Sequence, residues 1–456
     1  MNKLILSGTL SLCSLFAFSQ TNPAITNWLQ NTTGIVGRHY VSGNSTAITD
    51  AVEANIQTVQ YSANSVYVST HGIPAYVTGP FLGGNPSVAT DQNAIFQFPL
   101  NPTQNSGTPT ATTGGNIGVF INGVALFDYR DGVAWSPTAN ALCGGPGNPP
   151  CTGGPMALND WNRDAIPAEK GGFDCSKAHP AMGNYHHHQN PSAFNLDLTV
   201  ISTICDLYPS DGLYTINVNQ HSPLIGFAYD GFPIYGAYGF ANTDGTGGIQ
   251  RMQSSYSLRN ITTRTTSPTG APVSSGPDVS ATYFLGYFRE DYEYIASSGD
   301  LDEHNGRFCI TPEYPNGTYA YFCTVDANHN SAYPYAVGPT FYGNKTATKV
   351  TTISESVTAY TAPVTNNISE TENSINQITI YPNPSTDFIA VQMNALAKET
   401  LEVNLYDLNG KLIQTTSILQ GSTIAYFDTQ KLYSGEYVIK IGKGNSCVTK
   451  TVTIAK

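Results

Sequence analysis

The chain has 456 residues and a formal net charge of −12, with 11% charged and 40% hydrophobic residues. That acidity argues against nucleic-acid binding, which relies on Lys and Arg neutralising phosphates, and no internal run of roughly eighteen apolar residues marks a membrane-spanning helix. Gly, Asn, Ser, Thr and Tyr take the place of charge, which predicts a mainly β chain of short strands and many turns, long enough for more than one domain.

Residues 1–19 read as a signal peptide: Lys3 is the positive end, an apolar run follows, and Ala17-Phe18-Ser19 offers small residues for cleavage near Ser19/Gln20. Cys13 follows Leu12, too bulky for a lipoprotein signal. Export favours disulfides, and six cysteines lie in the central region: Cys143, Cys151, Cys175, Cys205, Cys309 and Cys323. Their connectivity stays open in the sequence; nearest-neighbour pairing (143 with 151, 175 with 205, 309 with 323) is the working expectation. There is no Cys-x-x-Cys, which speaks against a thiolate zinc site.

The central region, residues 20–350, predicts strands at 65–70, 118–123 (ending in a turn) and 213–218. A short helix is expected over 161–170, interrupted by Pro167. The most chemically loaded stretch is Tyr185-His186-His187-His188. In an extended chain His186 and His188 share one face, about 7 Å apart, and His187 takes the other. Two imidazoles on one face suit a metal ion once a third ligand arrives from elsewhere. An aromatic, hydrogen-bonded strand with no ligand would carry the same residues.

Other polar motifs surround this run. Asp174 and Cys175 are followed by His179-Pro180. Asp230 sits in an aromatic, glycine-rich turn, Ile225 to Gly236, and reads as a turn former or a site residue. Asp300-Leu301-Asp302-Glu303-His304-Asn305-Gly306-Arg307 misses the spacing of a calcium loop. Asp302, Glu303 and His304 instead offer a ligand, or a carboxylate that orients an imidazole. His221 is a further isolated histidine. Together with Tyr319-Ala320-Tyr321-Phe322 and Tyr333-Pro334-Tyr335, these segments closely resemble the YHYH-domain family, named for a Tyr-His-Tyr-His motif. Tyr185, His186 and His188 match that motif, while His187 stands in place of its second Tyr. The resemblance implies a fold family and carries no enzymatic activity with it.

Residues 351–377 have linker composition. Beyond them, from 378 to 456, alternating Leu401, Val403 and Leu405 precede Asp407-Leu408-Asn409-Gly410, a hairpin pattern. Tyr381-Pro382-Asn383-Pro384, Leu405 to Lys411, Ser434 to Val438 and the terminal Lys456 closely resemble the type A C-terminal sorting domain of the type IX secretion system. That resemblance implies a small β-sandwich, the type IX machinery as partner, and export across the outer membrane of a Gram-negative bacterium to the surface or medium. The seventh mature cysteine, Cys447, would leave with this domain.

The expectation is therefore a secreted or cell-surface, disulfide-stapled β-rich protein that binds zinc or copper through His186 and His188. The third ligand would come from His179, His221, His304 or a carboxylate. Such a centre suits water activation or copper redox chemistry, and enzymatic activity is left undecided. The alternative is a non-catalytic adhesion or glycan/protein-binding module that uses its tyrosines, with an extracellular ligand unknown.

Overall fold

Residues Ala94, Phe96 and Phe98 are buried along Ala94–Pro99 while their alternates are half-exposed, the period-two pattern of a sheet covered on one face. In the computed structural model this strand lies in an antiparallel five-stranded sheet, ordered Thr348–Val350, Ala94–Pro99, Ser65–Thr70, Ile56–Tyr61 and Thr358–Tyr360. The structure describes residues 20–361 except 83–86, 146, 155–156 and 200–201, and residues 378–456 except 394–396, 398–399, 409, 420–421 and 444–445. The signal peptide and residues 362–377 of the expected linker lie outside the described residues.

A second, mixed sheet has eight strands. Its order is Ala178–Ala181, Asn184–His187, Ala125–Phe127, Asn116–Phe120, Leu224–Ala228, Pro233–Tyr235, Thr318–Phe322 and Gly306–Cys309. Leu224–Ala228 and Pro233–Tyr235 are buried throughout, as expected of central strands covered on both faces. One hydrophobic core joins the two sheets, with Val59, Val66, Val68, Phe96 and Phe98 from the first and Val119, Phe120, Phe227, Ile234 and Phe322 from the second. The turn after Asn116–Phe120 needs Gly123, whose φ is +83°; a Cβ there would lie 2.1 Å from Thr70 Oγ1.

The chain divides into two compact units, 1–362 and 363–456. The second is a three-stranded sheet (Ile378–Tyr381, Phe388–Met393, Ile424–Asp428) and a four-stranded sheet (Leu412–Ile418, Leu401–Asp407, Gly435–Lys443, Ser446–Ile454). Both contribute to one core, with Ile389, Val391 and Phe427 from one and Val403, Leu405, Ile439, Ile441 and Val452 from the other. The described residues are mainly β, 39% strand and 6% helix.

Four expectations need correction. Residues 213–218 form no strand: Leu213 N–H donates to the Pro191 carbonyl at 2.8 Å and Tyr214 Oη–H to Asn190 at 2.6 Å, so their polar groups are met by a loop instead of a sheet. Over 161–170 the α-helix is confined to Ala165–Glu169, after the strand Asn162–Asp164 and running into a 3-10 turn at Lys170–Gly172. Pro167 does not interrupt it, because it sits in the first turn, where an N–H has no helical partner anyway.

The disulfides Cys143–Cys151 and Cys175–Cys205 form, but Cys309 and Cys323 are free and buried. Their strands form an antiparallel pair in which Cys309 faces Thr318 and Gly306 faces Tyr321. Cys323 therefore lies at the far end of the hairpin, about five residues or ~17 Å along the strand from a partner position. Within the expected linker, Thr358–Tyr360 is an edge strand paired with Ile56–Tyr61. Its Thr and Tyr side chains suit a strand as well as they suit a linker.

Candidate metal centre

The strand Asn184–His187 is the scaffold of the site. It pairs antiparallel with Ala178–Ala181, placing His186 opposite His179, and parallel with Ala125–Phe127, placing His186 beside Ala125. His186 and His188 project to one face. His179, on the adjacent strand, reaches the same spot: the ligand atoms of His179, His186 and His188 all lie within 4.8 Å of one another. Nε2 of His186 and Nε2 of His188 are 3.1 Å apart.

Each of these two rings is held by its other nitrogen. His186 Nδ1 is 2.8 Å from the carbonyl of Asn184, and His188 Nδ1 is 2.7 Å from the carbonyl of Asp128. A carbonyl only accepts, so both Nδ1 atoms carry hydrogen and both Nε2 atoms point inward. Carbonyl-anchored imidazoles of this kind are the usual support of metal-binding histidines.

A carboxylate closes the cluster. Asp164 caps the helix Ala165–Glu169 by accepting from Ile166 N–H at 2.8 Å. At the other end of that helix, Glu169 Oε2 is 3.2 Å from Nε2 of His179 and 3.2 Å from Nε2 of His188. This oxygen is buried and makes no well-aligned hydrogen bond. Aromatic rings wall the group: Phe127 stacks on His186 at 3.8 Å and Phe173 meets His179 edge-on at 5.0 Å.

The electrostatics follow from this packing. Burial, reinforced by His188 and His179, holds the His186 imidazole well below its ordinary pKa, so the ring is neutral. For His188 burial acts in the same direction, but Glu169 outweighs it and raises the ring above its ordinary value. Burial would raise the Glu169 carboxyl; the adjoining His179 and His188 reverse that and hold it below the usual range. Without a metal, the position between Glu169 and His188 is one for a proton.

The remaining candidates lie elsewhere. His187 points to the opposite face, with Nε2 2.8 Å from the Tyr76 hydroxyl, and burial lowers its pKa to about 3. Tyr185 donates to Asp174 at 2.8 Å. His304 Nδ1 lies 2.7 Å from Thr340 Oγ1, and His221 Nδ1 2.7 Å from the Ser222 carbonyl. Neither belongs to the imidazole group. Asp230 accepts from Tyr321 Oη–H at 2.6 Å and Gly343 N–H at 2.8 Å. Asp302 accepts from Tyr319 Oη–H and from the N–H of His304 at 2.8 and 2.9 Å, while the Glu303 side chain is half-exposed. These carboxylates organise turns and buried tyrosines.

Sequence reasoning missed Glu169 and Phe127. Glu169 has no local spacing to the histidines that would mark it. Its only herald is the Asp164 cap, which sets the helix that carries it.

Residues 95–333 match the family model described as YHYH protein, just over half of the chain, and residues 379–455 match the secretion system C-terminal sorting domain. No curated protein is similar enough to the chain to count as a relative. The sorting domain ties the protein to type IX secretion and to a secreted or cell-surface location. The chain belongs to the YHYH family and ends in a secretion system C-terminal sorting domain.

Proposed function

We propose that the central domain is an exported metal-binding domain whose centre is His179, His186, His188 and Glu169. The observation that carries this is the 3.1 Å approach of two Nε2 atoms whose rings both anchor Nδ1 on carbonyls. Two lone pairs so placed repel unless a cation or a proton lies between them. The buried Glu169 Oε2, 3.2 Å from both His179 and His188, adds a negatively charged donor at the same spot.

The spacing suits a small tetrahedral ion. Ligand atoms about 2.0–2.1 Å from such an ion stand ~3.3 Å apart; His186–His188 at 3.1 Å and Glu169 at 3.2 Å from His179 and from His188 match that, and the three imidazole nitrogens as a group lie within 4.8 Å of one another. A nitrogen-rich set with one carboxylate favours zinc or copper over calcium or magnesium. All four donors come from the protein, which suits tight retention of the ion more than an open catalytic position. Export begins, in this reading, with the signal peptide of residues 1–19 and ends at the outer membrane of a Gram-negative cell, where the sorting domain is removed.

Elemental analysis of the purified, untagged chain tests the proposal, followed by titration of chelator-stripped protein with zinc and copper. About one equivalent of one metal is expected, with a rise in melting temperature, because a ligand that binds only the folded state stabilises it. No bound metal, together with no response to either ion, would overturn it.

A further inference from the structure

Away from the histidines, the first unit contains a cavity of about 500 Å³ whose lining includes Tyr256, Tyr292, Tyr294 and Tyr333 with Arg289, Glu290 and Glu303. Tyr292 and Tyr333 stack face to face at 4.0 Å, and Tyr256 packs on Tyr333 and Tyr294 at 5.3 and 5.5 Å. The ring cluster is therefore built into the fold. The Tyr333 hydroxyl is paired with Tyr129, and the Tyr256 hydroxyl donates to the Glu303 carbonyl.

Several polar groups on the lining have nothing to bond. Arg289 gives its Nε–H to Glu290 at 2.7 Å, and its other N–H donors have no partner among the described residues. The hydroxyls of Tyr292 and Tyr294 likewise have no hydrogen bond there, and the Glu303 side chain is 54% exposed, with a carboxylate oxygen 3.8 Å from His304 Nε2. The cavity thus combines flat aromatic surface with unspent donors and acceptors. Its charged lining is one guanidinium against two carboxylates, so an anion is disfavoured.

We propose that this cavity is a binding site for a neutral saccharide. Ring C–H faces would lie on the tyrosines, while Arg289 donates to sugar oxygens and Glu303 accepts from sugar hydroxyls. A largely apolar concave site with a few placed polar groups is the common form of a small-ligand pocket, and the volume falls in the usual range. The site uses none of the four residues of the metal centre, so it holds whether or not that centre binds an ion.

The test uses the full chain, screened on an array of neutral and acidic glycans. Cellobiose, maltose, diacetylchitobiose and glucuronic acid are then titrated by saturation-transfer NMR. Binding of a neutral saccharide is expected, with glucuronic acid weaker. Tyr294→Ala should weaken it by about tenfold, and Glu303→Gln should weaken it too; both residues are partly exposed, so the melting temperature should hold. Affinity should be the same after chelation, which separates this site from the metal centre. Retention of no neutral glycan would overturn the proposal, as would tighter binding of glucuronic acid or binding indifferent to both substitutions.

Discussion

Glu169 Oε2 stands 3.2 Å from Nε2 of His188, joining the end of a five-residue helix to the histidine run nineteen positions later. The contact puts a carboxylate against two imidazoles in an apolar enclosure, where it is screened little by water. Glu169→Gln keeps the shape but removes the charge. Because Glu169 is one of the four proposed donors, its loss should lower metal affinity by at least the roughly 10–100-fold that losing an outer-shell support costs, with near-native stability of the metal-free protein. Competition titration against a chromogenic chelator reads the difference, and unchanged affinity would remove Glu169 from the site.

His186→Ala and His188→Ala should abolish stoichiometric metal binding, whereas His187→Ala should retain it. The opposite face explains the contrast. His187 is buried against Phe120 and Tyr185 and meets the Tyr76 hydroxyl. Its loss should therefore cost about 1–3 kcal/mol of stability through a cavity and an unpaired hydroxyl. Equal losses of metal at all three positions would point to a loose polyhistidine tract.

Asp230 gives the pH dependence an origin outside the metal centre. Burial raises its carboxyl from 3.8 to about 6, against the opposing hydrogen bonds of Tyr321 and Gly343. The folded state then binds a proton more tightly than the unfolded one. This contribution is fully present below about pH 4 and is lost as pH rises through about 6, amounting to about 2–3 kcal/mol. Asp230→Asn cannot titrate, so denaturant melts between pH 4 and 7 should show a flatter profile than the parent, whatever the constant offset from the altered hydrogen bonds. Parallel profiles would show that Asp230 does not titrate in this range.

Among the six central cysteines, non-reduced mass spectrometry should find two disulfides, Cys143–Cys151 and Cys175–Cys205, and two thiols. Cys309 and Cys323 are 1% and 0% exposed, and burial raises both thiols, Cys323 to about 12. They should resist alkylation in the native protein and react after denaturation, because the thiolate is the reactive form. Rapid native labelling would contradict their burial.

The two units have separate hydrophobic cores, so residues 20–361 expressed alone should melt cooperatively without the sorting domain. The cut at 361 matters. Ending at 350 would delete the edge strand Thr358–Tyr360, and that shorter chain should be the less stable of the two in a thermal melt.

What the sequence determined by itself is local. The face shared by His186 and His188 follows from the period of an extended chain, which needs no knowledge of neighbours. The strands Ser65–Thr70 and Leu401–Asp407 declare themselves by short-range composition and alternation. The ordered motifs of the two domains are also readable as strings of residues. The tertiary structure decided which distant groups complete the site. His179 joins because its strand is in register with His186, and His304 and His221 do not because Thr340 and Ser222 hold them elsewhere. The same long-range register separates Cys309 from Cys323. Sheet order and helix placement come from burying a common core, a property of the whole chain that no window of sequence contains.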